Sequence, residues 1–385
     1  MSSSLQDEFR VTRPILVPLF MAVLIFGGLA LLPLALLFMQ QPGFFSNPFS
    51  QAGARGFGDL VSGDSSKDSR PGTTPSTVRT GSGKDLKPSG QTHKKNGTGL
   101  PPISIKRLQR QILHMHGVHK RPKKATDGDW NDVHKEPGQS FRKWLQRNPP
   151  RLTTFRYKLI VQPIGRFSRK EHNMVVSLAS LLSVYFTTTV VLKRPIRGRR
   201  LRRIQKRRHM GTLQYRTTSV MDTLLKPRLK HDTAAILGIT ANSLWPGNDW
   251  NFVFGEALLR ERMAVMSFHH IAASRSRDGI SAYDRTLIRA MKIATHEVNH
   301  LFSITHCTAW DCNMSGANSL SELDRQSFFL GPECMAKLAW LTRIPARLRY
   351  RRVCRFFKEN KLLSLHKRCV QLREHLKKMD GQGGS

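Results

Sequence analysis

The sequence predicts a mixed α/β fold: a layered domain of alternating strands and helices behind a membrane-spanning helix and a disordered linker. Three observations predict it. Ile15 to Met39 is a run of 25 residues without a charge, longer than the roughly 20 residues that cross a bilayer core. From Gln40 to Pro101 the composition turns to Gly, Ser, Thr, Pro and Lys, which cannot bury a core. Beyond Pro150 the apolar period switches repeatedly between two and 3.6 residues.

In chain order, residues 1–14 are a short tail and 15–39 the transmembrane helix. Arg10 and Arg13 precede that helix and no Lys or Arg follows until Arg55, which leans toward a cytosolic N-terminus. Residues 40–150 read as a flexible, basic linker region, with a short helix around Ile105–His114 and a boundary at Pro149–Pro150. His114, His116 and His119 read there as surface histidines without a ligand. The domain occupies 151–342. Tyr157, Leu159 and Val161 alternate in a first strand, Val175 to Tyr185 recur at helical spacing, and Thr188–Leu192 is a second strand. Ala234–Thr240 and Arg262–Phe268 are further strands, with a helix near Val220–Leu225 between the second strand and Ala234. Asp284–Phe302 is a long helix. Residues 343–385 form a basic helical extension that docks through Leu348, Cys354, Phe356 and Phe357.

The chain carries 63 Lys and Arg against 26 Asp and Glu, a net charge of +37. Such a surface attracts polyanions without specifying which. Ten of the cations lie between Lys193 and His209, a basic insertion in the domain. The run lacks the aromatics on which single-stranded nucleic acid stacks, so anionic lipid is at least as good a partner as nucleic acid. All five cysteines fall between Cys307 and Cys369, beside histidines, a pattern nearer to metal ligation than to a disulfide framework. That favours a reducing setting and opposes the topology read from the arginines. Membrane identity and the side the domain faces stay open.

The chemistry concentrates in HEVNHLFSITHC, His296 to Cys307. His296 and His300 leave one helix face a turn apart, and Glu297 points beside that face. Two imidazoles so placed bind zinc while the carboxylate serves as a base. His306 supplies a third nitrogen if the helix ends and the chain turns back near Ser303. Three histidines leave one coordination position open, as a catalytic zinc requires.

HEVNHLFSITHC, then Cys312-Asn313-Met314, GANSLSELDR and GPEC resemble the archaemetzincins, a branch of the metzincin zinc proteases. YKLIVQPIG, AILGITANSLWPGNDWNFVFGEA and AVMSF extend the resemblance over Tyr157 to Leu338. It implies a zincin-like domain with an active-site helix. His296, His300 and His306 would hold a catalytic zinc, Glu297 would act as general base and acid, and Met314 would form the floor of a Met-turn. Cys307, Cys312 and Cys334 would belong to a second, structural zinc.

Two residues depart from that pattern. Ser303 replaces the turn glycine, where positive φ costs a side chain roughly 1–2 kcal/mol. Zinc binding is of order 10 kcal/mol, so the metal is expected to win. Gly331 stands where a fourth zinc cysteine is expected. Cys354, Cys369, Glu333 or a histidine would have to complete that site, or it is lost. The function expected is therefore a membrane-anchored zinc metallopeptidase, of aminopeptidase or small-peptide type, acting on peptides or proteins. The alternative is an inactive metzincin-like scaffold whose basic surfaces bind nucleic acid or anionic membrane.

Overall fold

The computed structural model describes residues 8–11, 101–247 and 250–381. The Ile15–Met39 run and the tether after it lie outside them. Among the described residues no helix is long and apolar enough to cross a membrane.

Strand β1 (Glu8–Val11) is followed by helices α1 (Ile105–Met115), α2 (Trp130–Val133) and α3 (Phe141–Gln146). Next come β2 (Lys158–Ile164), α4 (Arg169–Phe186), β3 (Val190–Lys193), β4 (Lys206–His209), β5 (Thr212–Arg216) and α5 (Thr217–Val220). The chain continues through β6 (Thr233–Thr240), β7 (Ser243–Trp245), β8 (Gly255–Leu258), β9 (Met263–Ser267) and α6 (Ala282–His300). Helices α7 (Leu320–Arg325), α8 (Pro332–Thr342), α9 (Ala346–Glu359) and α10 (Leu363–Gly381) follow.

Six strands form one sheet in the order β1-β3-β2-β6-β9-β8. The inner four are parallel, and β1 and β8 run antiparallel at the edges. Parallel strands need both faces covered, which is why β2 and β6 read as nearly continuous apolar runs. Their alternate residues go to opposite layers. Leu159, Val161, Leu237 and Ile239 join the larger core with α4 and α6, whereas Ile160, Ile164 and Ile236 join a smaller core with Met221, Leu224 and Leu225. Helix α4 starts on a capping box between Ser168 and Glu171, which satisfies two of its open N–H groups.

Three stretches depart from the expectations above. Residues 101–150, read as linker, are packed: Leu108 and Trp144 are fully buried. In α1 only Leu108, Gln111, Ile112 and Met115 are buried, so its basic outer face hid a narrow core stripe. The basic insertion is not only loop, because Lys206–His209 forms the outer strand of a three-stranded sheet, β4-β5-β7. Its neighbours Arg199, Arg200, Arg202 and Arg203 are exposed, as a solvated basic run should be.

The third departure concerns cysteines. Cys354 and Cys369 form a disulfide that ties α9 to α10, so they are not metal ligands. The clustering that suggested ligation conceals two populations, one paired and one a thiol trio. This extension is also built into the core. Arg349, 1% exposed, donates to the Tyr185 carbonyl at the end of α4 and to the Thr342 hydroxyl. Burial lowers its pKa to about 10, which still leaves it charged at neutral pH.

Candidate metal centre

Helix α6 carries the first two histidines. Ser281 caps its N-terminus by accepting the Asp284 N–H, and Leu287, Ala290, Met291, Ala294 and Val298 line the face toward the core. Arg289 makes a two-pronged bond to Asp324, at 2.8 and 2.6 Å. Lys292 donates to the carbonyls of Leu323 and Gln326, both at 2.7 Å. These bonds fix the 323–326 segment against the helix. Burial takes the Lys292 pKa down to about 8.

The ring nitrogens of His296, His300 and His306 lie within 4.8 Å of one another. Each Nδ1 has a partner outside the cluster. His296 bonds the Asn313 carbonyl at 2.7 Å, His300 the Ile304 carbonyl at 2.7 Å, and His306 both oxygens of Glu136 at 2.9 Å. Acceptors at Nδ1 place the proton there and leave the Nε2 lone pairs pointing inward. The Nε2 atoms of His296 and His300 are 2.8 Å apart. A hydrogen bond between them would need one ring doubly protonated. Burial opposes that, taking the His296 pKa down to about 3 and holding His300 well below the usual imidazole range. Two neutral lone pairs face to face call for a cation. Zinc ligated at about 2.0–2.1 Å in a tetrahedron suits this all-imidazole set.

The turn before His306 is formed as the glycine pattern demands. Ser303 has φ 60°, in the left-handed region, and is 5% exposed with its hydroxyl unpartnered. Two bonds from Gln139, to the Ser303 carbonyl at 3.2 Å and from the Thr305 N–H at 3.3 Å, bracket the turn. The Trp144 indole N–H donates to the Phe302 carbonyl at 3.1 Å. Each such bond contributes about 0.5–1.5 kcal/mol, enough together to offset a left-handed serine. Ser303→Gly is expected to raise stability by about 1–2 kcal/mol with the zinc site intact, checked by chemical denaturation of the metal-free protein. An unchanged or lowered midpoint would show that the turn is not strained.

Glu297 is 6% exposed and lies against β8, where a Cβ added at Gly255 would come within 2.4 Å of its Oε1. Burial first, then the nearby Glu256 carboxylate, hold Glu297 well above the usual carboxylate range. A cation at the histidines would pull it back toward ionisation. Met314 is fully buried, its carbonyl accepting the Cys307 N–H at 2.8 Å. The Asn313 side chain donates to Thr295 at 2.8 Å, which locks this turn to α6.

Residues 186–340 match the model of peptidase family M54. The chain is 28% identical over 246 residues to human archaemetzincin-2, covering 55% of this chain and 67% of that protein. It is 37% identical over 115 residues to the archaemetzincin of Methanopyrus kandleri, covering 30% of this chain and 59% of that protein. The matched region, which contains the three histidines and Glu297, is an archaemetzincin family domain. A crystal structure of the Methanopyrus kandleri archaemetzincin aligns with 51% of this chain and 96% of that one, at 27% identity and a TM-score of 0.38. This domain is that of a zinc metallopeptidase family, and the chain's own strands and helices make the fold mixed α/β.

A second donor set lies nearby. The sulfurs of Cys307, Cys312 and Cys334 are within 4.8 Å of one another and all three residues are buried. Cys307 is held well below the usual thiol range because Cys312 and Cys334 donate to it, and Cys334 is pushed up to about 12. Cys312 also accepts backbone N–H bonds from Gly331 at 3.1 Å and Met314 at 3.3 Å. A side chain at Gly331 would run into the Trp310 side chain, whose Cβ lies 2.7 Å and ring Cγ 3.1 Å from the added Cβ, so Trp310 crowds the place of a fourth thiol. Glu333 is engaged with the Phe141 N–H. His119, read from the sequence as a surface histidine, is 9% exposed, and its Nε2 is buried without a partner.

Sequence reasoning missed Glu136, Gln139, Trp144 and Gly255. The one available signal was four carboxylates, Asp127, Asp129, Asp132 and Glu136, close together in an otherwise basic stretch.

Proposed function

We propose that the chain is a zinc-dependent peptidase in which Glu297 is the general base and acid, tethered to a membrane by Ile15–Met39. Three inward Nε2 atoms with a buried carboxylate beside them on the same helix carry the reading. Zinc held there would polarise a peptide carbonyl and acidify water. Glu297 would take a proton from that water and return it to the leaving amine. Strand β8, outermost in the sheet on this side, offers backbone groups to an extended peptide. Aminopeptidase or small-peptide specificity is the finer expectation. A second zinc at Cys307, Cys312 and Cys334 would be structural.

A cavity of about 380 Å³ lined by Arg200, Arg203 and Arg228 favours an added role for the basic surface, as a contact for anionic lipid or nucleic acid. The peptidase reading is tested by incubating the full chain with a peptide library. Cleavage that a chelator stops and zinc restores is expected. Its absence from zinc-loaded protein would favour the non-catalytic scaffold.

A further inference from the structure

We infer that the segment from Asp129 to Trp144, which precedes the matched family domain, is part of the metal site, with Glu136 as the positioning residue of the third ligand, His306. The inference rests on the zinc reading of the three histidines.

His306 is the ligand that α6 does not aim. His296 and His300 project from consecutive turns of one helix, and their Nδ1 groups rest on carbonyls of the matched domain, Asn313 and Ile304. His306 follows the left-handed turn at Ser303, and its Nδ1 is held by both oxygens of Glu136 at 2.9 Å. A carbonyl also fixes the ring tautomer, but a carboxylate adds a negative charge and a second oxygen that hold the ring and strengthen Nε2 as a metal donor.

Glu136 is itself held. The Trp130 indole N–H donates to it at 3.2 Å, and the Trp130 ring stands edge-on to His306 with centroids 4.8 Å apart. The Trp130 backbone N–H is bound by both oxygens of Glu322, at 3.0 and 3.1 Å, which pins this end of the strap to α7. At the other end Gln139 brackets Ser303 to Thr305, and Trp144 holds the Phe302 carbonyl. The strap thus grips the turn that delivers His306 and the ring of His306 itself. An external brace supplies the definition that a glycine turn would give unaided.

The test is zinc affinity of the full chain, measured by competition with a chromophoric chelator, together with the visible spectrum of the cobalt(II)-loaded protein. Glu136→Gln is expected to weaken zinc binding by about 10–100-fold and to alter the cobalt bands. Glu136→Asp, which keeps the charge with a shorter reach, should recover part of the affinity. Glu322→Gln loosens the strap without removing the carboxylate on His306 and should weaken zinc binding less than Glu136→Gln, with the cobalt bands kept in place. Wild-type affinity and an unchanged spectrum in Glu136→Gln would overturn the inference, and so would an equal loss in Glu322→Gln, which would assign the effect to folding of the strap. Should Glu136→Gln not fold, Glu136→Asp decides: an intermediate loss upholds the role and wild-type affinity overturns it. If the wild type takes up no zinc that depends on His296 and His300, the zinc reading falls and takes this inference with it. The two failures are therefore distinguishable.

Discussion

Glu297→Ala is expected to keep its zinc and lose peptide hydrolysis by about 10²–10⁴-fold, the range contributed by a positioned acid–base group. Glu297 touches β8 at Gly255 and is not one of the converging donors, so its removal leaves the three imidazoles in place. The fold should tolerate the change well. A carboxyl whose ionisation is disfavoured by burial and by Glu256 stabilises nothing as an anion in the metal-free protein. Zinc content and turnover measured on the same preparation check this. Turnover within tenfold of wild type would remove Glu297 from the mechanism, and loss of zinc would make it a structural support of the site.

The second large effect is on the metal. His296→Ala with His300→Ala removes two of three donors and is expected to lower zinc content by about one ion per chain. It should also abolish the rise in melting temperature that zinc gives the wild type, since a ligand bound to the native state stabilises it by mass action. Any ion held at Cys307, Cys312 and Cys334 would remain, and comparison with Cys312→Ser separates the two sites. A double variant with the wild-type zinc content would show that the histidines do not ligate.

Much of the site was legible because it is local. A four-residue spacing on a helix places His296 and His300 on one face whatever the rest of the fold does. The left-handed conformation at Ser303 followed from the turn needed to bring His306 back, and φ 60° is that conformation. The parallel strand β6 was legible as an unbroken apolar run because both its faces are buried, and β2 through the alternation of Tyr157, Leu159 and Val161. The edge strand β8 was not. Its residues Gly255 to Leu258 are half-buried, and its place against Glu297 is set by pairing with β9.

The remainder depended on partners distant in the sequence. Glu136 and His306 are 170 positions apart, and nothing local to HKEPG marks its carboxylate as a histidine's partner. The cysteines divide for the same reason. Spacing alone cannot show that Cys354 and Cys369 face each other across two helices while Cys307, Cys312 and Cys334 converge elsewhere. The sequence by itself determined which three imidazoles converge and which carboxylate stands beside them on α6, because helix periodicity is a property of the local chain. Only the tertiary structure decided what holds the third imidazole, which cysteines pair and that residues 101–150 belong to the folded body. Those outcomes depend on which surfaces meet when the core closes, and a buried hydrogen bond needs a partner in space, not in sequence.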